Sequence, residues 1–374
     1  MKYSLVLPCK DEEQSVGVCI KKAQDALRKL HIQKEEYEII VVDNNSVDHS
    51  ATIAAAQGAS VLREPVQGYG AALLRGFRQA KGEYIIMCDA DNTYDLEELP
   101  LLIKHVTTHD IVVGNRFNKR MKPHAMPLMH RYIGNPFFSR LSRLFFKIPC
   151  TDIHSGFRVM RRDALQRLDL QSSGMEISSE MLIKATQLHL RIKEVNITYS
   201  RRTGQSKMRS FNDGWRHLKM MLLYSPEYLF LFPGSVLAIV GMLALIGLVI
   251  SSAVLQQRIA GIHFIILSSI LAILGYQLIL LWLYTKTYRI TQLHEQDRVV
   301  EYIHNNITLE KTISIGIGIV CVGIIAGAAL FIRWPQGNNL IDSVAFSIFA
   351  LTMIVIGVQT IAAGFMLSIL GNRR

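Results

Sequence analysis

Charge is scarce in this chain: Asp, Glu, Lys and Arg make up 19% of its 374 residues, and half of the residues are hydrophobic. That balance leans toward a membrane protein. Cysteine is scarcer still, and the five present (Cys9, Cys19, Cys88, Cys150, Cys321) show no C-x-x-C spacing. Neither a disulfide framework nor a zinc site is expected. The N-terminus, Met1-Lys2-Tyr3-Ser4-Leu5, lacks the long apolar run of a secretory signal, which predicts a cytosolic first half. No recognised nucleic-acid motif accompanies the net charge of +11, so no nucleic-acid partner is expected. Gly68-x-Gly70 lacks the third glycine of a dinucleotide fingerprint and does not follow the first strand, which disfavours a Rossmann dehydrogenase.

What is present divides in two. The length suits two or three domains at about 150 residues each. From Leu229 onward there are eight Lys or Arg and five Asp or Glu, so residues 1–228 hold +8 of the net charge. In that first part Tyr3–Pro8, Glu38–Val42, Ala59–Arg63 and Tyr84–Cys88 read as buried strands. Between them, Ser15–Leu30 has helical spacing, Ser50 is placed to cap a helix, and Gly68-Tyr69-Gly70 opens a helix to about Lys81. Such alternation predicts an α/β fold with a right-handed parallel sheet. The sheet is expected to continue through Asp110–Gly114 and Arg191–Ser200.

Ligands of open α/β sheets sit beyond the carboxyl ends of the strands. Three acidic strand ends are expected on that rim: Pro8–Glu13, Asp43–Asp48 and Cys88-Asp89-Ala90-Asp91. Alone, a D-x-D pair is no more than a polar strand end. On a strand, however, residues two apart point the same way, so Asp89 and Asp91 can meet one divalent cation. Mg²⁺ typically takes one or two carboxylates together with substrate phosphates. The glycines 68 and 70 serve either a tight turn or a bound donor. Arg116, Arg131, Arg201, Arg202 and Lys207 are the cations available to anions.

Over Pro136–Pro149, Phe137, Leu141, Leu144, Phe145 and Ile148 form an apolar stripe, and Arg140, Arg143 and Lys147 a basic one. That pattern suits either a helix in a lipid interface or a helix packed on the sheet; the arginines and the absence of acids favour lipid. Farther on, about 229–252, 259–285, 313–332 and 341–370 are long enough to cross a bilayer as helices. Lys286, Arg289, Arg298 and Lys311 lie in one connection, against Arg258 and Arg333 in the two opposite ones. Counting positive charge places both termini and residues 1–228 in the cytosol of a multi-pass cell-membrane protein. The span interiors hold no Lys, Arg, Asp or Glu, which argues against a coupled transporter. Gln277 and Gln359 are expected to hydrogen-bond between helices. The expected domains are residues 1–210, a juxtamembrane stretch 211–228, and a membrane domain 229–374.

The ordered blocks carry a resemblance. Pro8-Cys9-Lys10-Asp11-Glu12, Val42–Asp48, Asp89-Ala90-Asp91, Gly114-Asn115-Arg116, Thr151–Arg158 and Arg201-x-x-Gly204-x-Ser206-Lys207 together resemble family 2 glycosyltransferases of the GT-A fold. The likeness covers about residues 3–228 and points to the dolichyl- or polyprenyl-phosphate hexose synthases. It implies an inverting hexose transfer from a nucleotide sugar donor to a polyprenyl phosphate lipid acceptor, with Mg²⁺ or Mn²⁺ on Asp89 and Asp91. By the same likeness Pro8, Glu12, Asp43 and Gly68 belong with the donor. Asp152 and Ser155 line the sugar, Arg116, Arg131 and Asn135 match the acceptor-phosphate positions, and Arg201 and Lys207 close over the donor phosphates. Asp89, Asp91, Asp152, Arg201 and Lys207 form the implied catalytic set. Blocks at 129–136, 174–176 and 213–218 resemble a prokaryotic branch described as glucose synthase-like, which favours UDP-glucose over GDP-mannose.

Three positions depart from the pattern. Asp11 replaces a usual Asn, Asn135 a commoner Ser, and Thr93 stands where relatives often place a metal-binding Gln, which leaves the third ligand open. Two rival readings remain. A processive polysaccharide synthase needs a Q-x-x-R-W block, yet Leu330 precedes Arg333-Trp334. A non-catalytic nucleotide-sugar-binding subunit would not need acids at all three strand ends. A homo-oligomer is left open.

Overall fold

The computed structural model describes residues 1–118, 120–203, 210–254, 262–293, 308–333 and 340–371, in two compact units, Met1–Met221 and Leu222–Arg374. Lys207, with Gly204 and Ser206 of its motif, lies outside the described residues, as do Arg258, Arg298, Trp334 and the last three residues.

The first unit is built on a seven-stranded sheet. Its strands are β1 (Tyr3–Cys9), β2 (Tyr37–Asp43), β3 (Ser60–Arg63), β4 (Tyr84–Met87), β5 (Ile111–Asn115), β6 (Arg158–Arg161) and β7 (Ile192–Asn196), in the order β3-β2-β1-β4-β6-β5-β7. β1 is central and almost wholly buried, as expected of a parallel strand covered on both faces. Leu5, Leu7, Val41 and Ile86 have no exposed surface, and each buried side chain of this size contributes about 1.5–3 kcal/mol. One covering layer is α1 (Val16–Lys29). Its buried residues Val16, Cys19, Ile20, Ala23, Ala26 and Leu27 recur every three or four positions, so a single stripe faces the sheet.

The sheet is mainly parallel, with one reversal absent from the sequence reading. β6 runs antiparallel to both β4 and β5, pairing Met87 and Val113 with Arg158. The reversal matters for the site. The carboxyl ends of β1, β2, β4, β5 and β7 share one rim, and because β6 is inverted, the segment that precedes it, 151–157, arrives at that same rim. Ser50 is also corrected. It is the first residue of α2 (Ser50–Ala56), not its cap. Its hydroxyl donates to Asp48 and accepts from the Glu12 amide at 2.7 Å, tying the ends of β1 and β2 together.

Five further helices belong largely to this unit: α3 (Tyr69–Gln79), α4 (Leu99–Ile103), α5 (Asn135–Phe146), α6 (Arg162–Arg167) and α7 (Ile177–Gln187); α8 (Ser210–Tyr224) leads out of it. In the second unit α9 (Phe232–Val254), α10 (Ile262–Leu293), α11 (Leu309–Arg333) and α12 (Leu340–Gly371) are each long and apolar enough to cross a membrane. α9 and α10 pack backbone to backbone: a Cβ on Gly241 would lie 2.4 Å from the Ala272 nitrogen, and one on Gly275 2.2 Å from that of Ala238. α10 meets α12 through Ser269–Thr352 (2.7 Å), Tyr276–Thr360 (2.6 Å) and a bond from Gln359 Nε2 to Gln277 Oε1 (2.7 Å), so the two glutamines do join helices. α10 outlasts the expected end at Thr285. Lys286 pairs with Glu227 and Arg289 donates to the Tyr224 carbonyl at 3.1 Å.

Candidate active site

The site forms where the β4 strand stops. Asp89 is enclosed by three neighbours. The Tyr69 hydroxyl, one residue into α3, donates to Asp89 Oδ1 at 2.6 Å. Gly156 stands so close that a Cβ there would lie 2.7 Å from Oδ1 and 2.8 Å from Oδ2. Asp91 is the third neighbour: burial first, then its negative charge, raises the Asp89 carboxyl from 3.8 to about 6, against the lowering pull of Tyr69, Arg116 and Arg202. Asp91 itself is fixed by Thr93, whose hydroxyl and amide both donate to Oδ1, at 2.6 and 3.1 Å. Thr93 therefore orients Asp91. Among the described residues no group of three or more His, Cys, Asp or Glu is arranged to hold a metal ion.

The loop beside these acids is held from behind. Arg158, fully buried at the start of β6, donates to the carbonyls of Ser155 (2.9 Å), Ser178 (2.8 Å) and Ile153 (2.8 Å). Tyr94 completes the clamp, its hydroxyl accepting from the Gly156 amide at 2.7 Å. A buried guanidinium satisfied by backbone carbonyls fixes the path of the segment that carries Asp152 and Ser155.

The sequence placed Asp152 and Arg116 in different roles, and the structure joins them. Asp152 is fully buried and takes a bidentate grip from Arg116: Nε to Oδ2 at 2.7 Å and Nη2 to Oδ1 at 2.8 Å. The Arg116 amide adds a third bond at 3.0 Å, and Tyr199 lies under the guanidinium, 5.2 Å away. Of the Arg116 side-chain nitrogens, Nη1 is the one not engaged by Asp152. Ser155 is buried in the same loop.

The residues expected on the donor side lie at or beside the adjacent strand ends. Pro8 sits in β1 opposite Val42, and Asp43 ends β2 with its Oδ1 accepting from the Ser46 amide at 3.0 Å. Gly68 is tied to that strand end by donating to Asn44 Oδ1 at 2.8 Å. Its φ of 152° and the Ser173 carbonyl, 2.2 Å from where a Cβ would be, require glycine. Glu12 forms an ion pair with Arg202, whose Nη1 also lies 3.4 Å from Asp91 Oδ2. Arg201 is exposed.

Two expected residues stand apart from this group. Arg131 lies over the Tyr132 ring at 5.3 Å, and Asn135 donates to the Met126 sulfur at 3.3 Å. Neither is bonded to Arg116 or to the acids among the described residues. Sequence reasoning missed Tyr69, Tyr94, Gly156 and Arg158. Each sits inside or beside a quoted block, but a hydroxyl between two glycines and an arginine at a strand start carry no spacing signal of their own.

Known proteins share this organisation. Residues 4–169 match glycosyl transferase family 2, and residues 283–371 match the glycosyltransferase family 2 C-terminal transmembrane region. The low-salt glycan biosynthesis hexosyltransferase of Haloferax volcanii is 36% identical over 372 residues, 99% of this chain and 89% of that protein. The dolichyl-phosphate hexose transferase of the same organism is 29% identical over 56% of this chain and 88% of its own. The undecaprenyl-phosphate mannosyltransferase of Micrococcus luteus is 30% identical over 56% and 88%. Glucosyl-3-phosphoglycerate synthase from Mycobacterium tuberculosis, solved with phosphoglyceric acid, aligns at a TM-score of 0.49 and 21% identity over 60% of this chain and 80% of that one. With a relative matched along nearly its whole length and two family segments in order, the chain belongs to glycosyltransferase family 2 and is a multi-pass membrane glycosyltransferase.

Proposed function

We propose that this enzyme transfers a hexose, with inversion, from a nucleoside diphosphate sugar to a polyprenyl phosphate at the cytosolic face of the membrane. UDP-glucose is the favoured donor and GDP-mannose the alternative. The observation that carries the reading is the pair Asp89 and Asp91, each felt by the other's charge beyond the end of β4, with Arg202 linking Asp91 to Glu12, and with Asp43 at the end of β2, in a chain with four long apolar helices among its described residues. Relatives named for dolichyl and undecaprenyl phosphates support a lipid acceptor.

The residues fit a divalent cation. Two carboxylates this close disfavour each other's charge, and a bound cation removes that penalty. Their oxygens are hard donors suited to Mg²⁺ or Mn²⁺, and one oxygen of each is already used to fix its position, by Tyr69 and by Thr93. When bound there, the ion would act as Lewis acid and template for the leaving diphosphate. The chain's own residues do the rest. Pro8, Glu12 and Asp43 bound the nucleotide side, and Asp152 and Ser155, set by Arg158, face the sugar side. Arg201, exposed in the segment that follows β7, is assigned to the donor phosphates. The acceptor oxygen is already ionised, so it can attack the anomeric carbon as the bond to the diphosphate breaks, with no protein nucleophile. Arg131 and Asn135 are assigned to the acceptor phosphate, to which Arg116 offers the N–H groups that Asp152 leaves unused, two on Nη1 and one on Nη2.

α5 supports a lipid-facing position for this unit. Its buried residues are Ser139 and Ser142, whereas Phe137 is 52% and Leu144 61% exposed, along with Arg140, Arg143 and Lys147. Phe138, Phe145 and Phe146 are half-buried and Ile148 is buried, so the expected apolar stripe is exposed only at Phe137 and Leu144, and it is these two with the three cations that suit a surface of phosphate headgroups. The deciding experiment is a panel of labelled UDP- and GDP-sugars offered to the reconstituted protein with one polyprenyl phosphate. Label should enter a butanol-extractable, mild-acid-labile lipid from one donor. No lipid product from any donor contradicts the proposal.

A further inference from the structure

We infer that Arg202 is a resident counter-cation that closes the acidic seat until the metal–diphosphate complex displaces it. The inference rests on the metal reading of Asp89 and Asp91. Arg202 follows β7 and reaches back across the rim, pairing with Glu12 at the end of β1 and approaching Asp91 Oδ2 at 3.4 Å. It thus engages one residue assigned to the nucleotide and one assigned to the metal. Asp91 Oδ1 is held by Thr93, so Oδ2 is the oxygen that Asp91 can give to an ion, and it is the one that faces Arg202.

A divalent ion on that oxygen and a guanidinium 3.4 Å from it repel each other, so the two compete for it. A guanidinium supplies a single charge to a site holding Glu12, Asp89 and Asp91, and so leaves Asp89 and Asp91 in mutual repulsion. A divalent ion supplies more charge, but only after Arg202 has left. Its Nε is buried and has no hydrogen-bond partner among the described residues, so the closed position does not satisfy the side chain fully. A donor diphosphate offers the released guanidinium a bidentate anion. Arrival of metal and donor would then move the Arg202 side chain from the acids onto the phosphates. Arg202 is a positioning residue in this scheme.

The test is Mn²⁺ binding by the full-length protein without nucleotide, read by electron paramagnetic resonance, so that turnover plays no part. Kd should tighten about tenfold in Arg202→Gln, because the binding-competent fraction rises when the competitor is removed. Arg202→Lys, which keeps the charge, should stay near wild type. In the presence of UDP the order should reverse, with Arg202→Gln holding the Mn²⁺–UDP complex more weakly than wild type. An unchanged or weaker Mn²⁺ affinity in Arg202→Gln, with Asp91→Asn abolishing binding, overturns the counter-cation and leaves the metal seat standing. If Asp91→Asn binds Mn²⁺ as well as wild type, both readings fall.

Discussion

Replacing Asp89 by Asn should make the metal-free enzyme more stable at pH 8 while removing its transferase activity. The magnitude comes from the site. Burial and Asp91 raise the Asp89 carboxyl from 3.8 to about 6. Between about pH 4 and pH 6 the folded protein therefore holds a proton that the unfolded chain has lost. The sign follows: stability falls as pH rises through that window and levels off above it. A displacement of about two pKa units corresponds to about 3 kcal/mol. Asp89 keeps some solvent contact, and Asn also loses the attraction of Arg116 and Arg202, so a gain of about 1–3 kcal/mol is expected. Asparagine has nearly the same volume and keeps an oxygen for the Tyr69 hydroxyl. The assay is thermal unfolding of the EDTA-treated protein in detergent, followed by near-UV circular dichroism at pH 5, 6.5 and 8. For a unit of this size the variant should melt about 2–8 °C higher at pH 8. The gap should shrink toward pH 5. A variant no more stable than wild type at pH 8, or a gap indifferent to pH, refutes the argument that two charges are forced together here.

Other perturbations probe the supports of the same carboxylates. Gly156→Ala puts a Cβ 2.7 Å from Asp89 Oδ1, and the forced shift should lower transfer about 100-fold with the melting temperature nearly unchanged; wild-type turnover would show that Asp89 can move freely. Tyr69→Phe removes the 2.6 Å hydrogen bond to Asp89. The acid limb of the pH–rate profile should rise by about one pH unit, since that bond favours the ionised form. Arg158→Met leaves three buried carbonyls without donors and should cost about 2–4 kcal/mol in denaturant unfolding, a loss that a merely peripheral arginine would not produce.

The strands that organise the sheet were legible because their residues answer to burial alone. β1, β2 and β4 are continuous apolar runs that stop at proline or at acids, and no tertiary knowledge is needed to see them. β6 gave no such signal. It is four residues long, begins and ends in arginine, and the first of these is buried only because backbone carbonyls from two segments, the loop carrying Ile153 and Ser155 and the start of α7 at Ser178, converge on it. Its reversal is a property of the fold and not of those four residues. The site divides in the same way. Asp89 and Asp91 were readable as acids just past a strand end, although β4 stops at Met87 and both lie beyond it, so a strand's two-residue period does not align them. The bond between Arg116 and Asp152 joins positions 36 apart, and that between Arg202 and Glu12 positions 190 apart, so both depend on strand order. Thr93 illustrates the limit of reading by analogy. In sequence it stood as a poor replacement for a metal ligand, whereas in space it orients Asp91, the residue two positions before it.

The central claim is that Asp89 and Asp91 hold the divalent ion on which donor cleavage depends, and one titration tests it most directly. Reconstituted enzyme stripped with EDTA is given labelled UDP-glucose and polyprenyl phosphate, and lipid-linked label is measured as Mg²⁺ is added back, for wild type and for Asp91→Ala. The account predicts no product without the ion, saturable recovery in wild type, and none in the variant at any Mg²⁺ concentration. Transfer that persists in EDTA, or near-normal transfer by Asp91→Ala at saturating Mg²⁺, would contradict it.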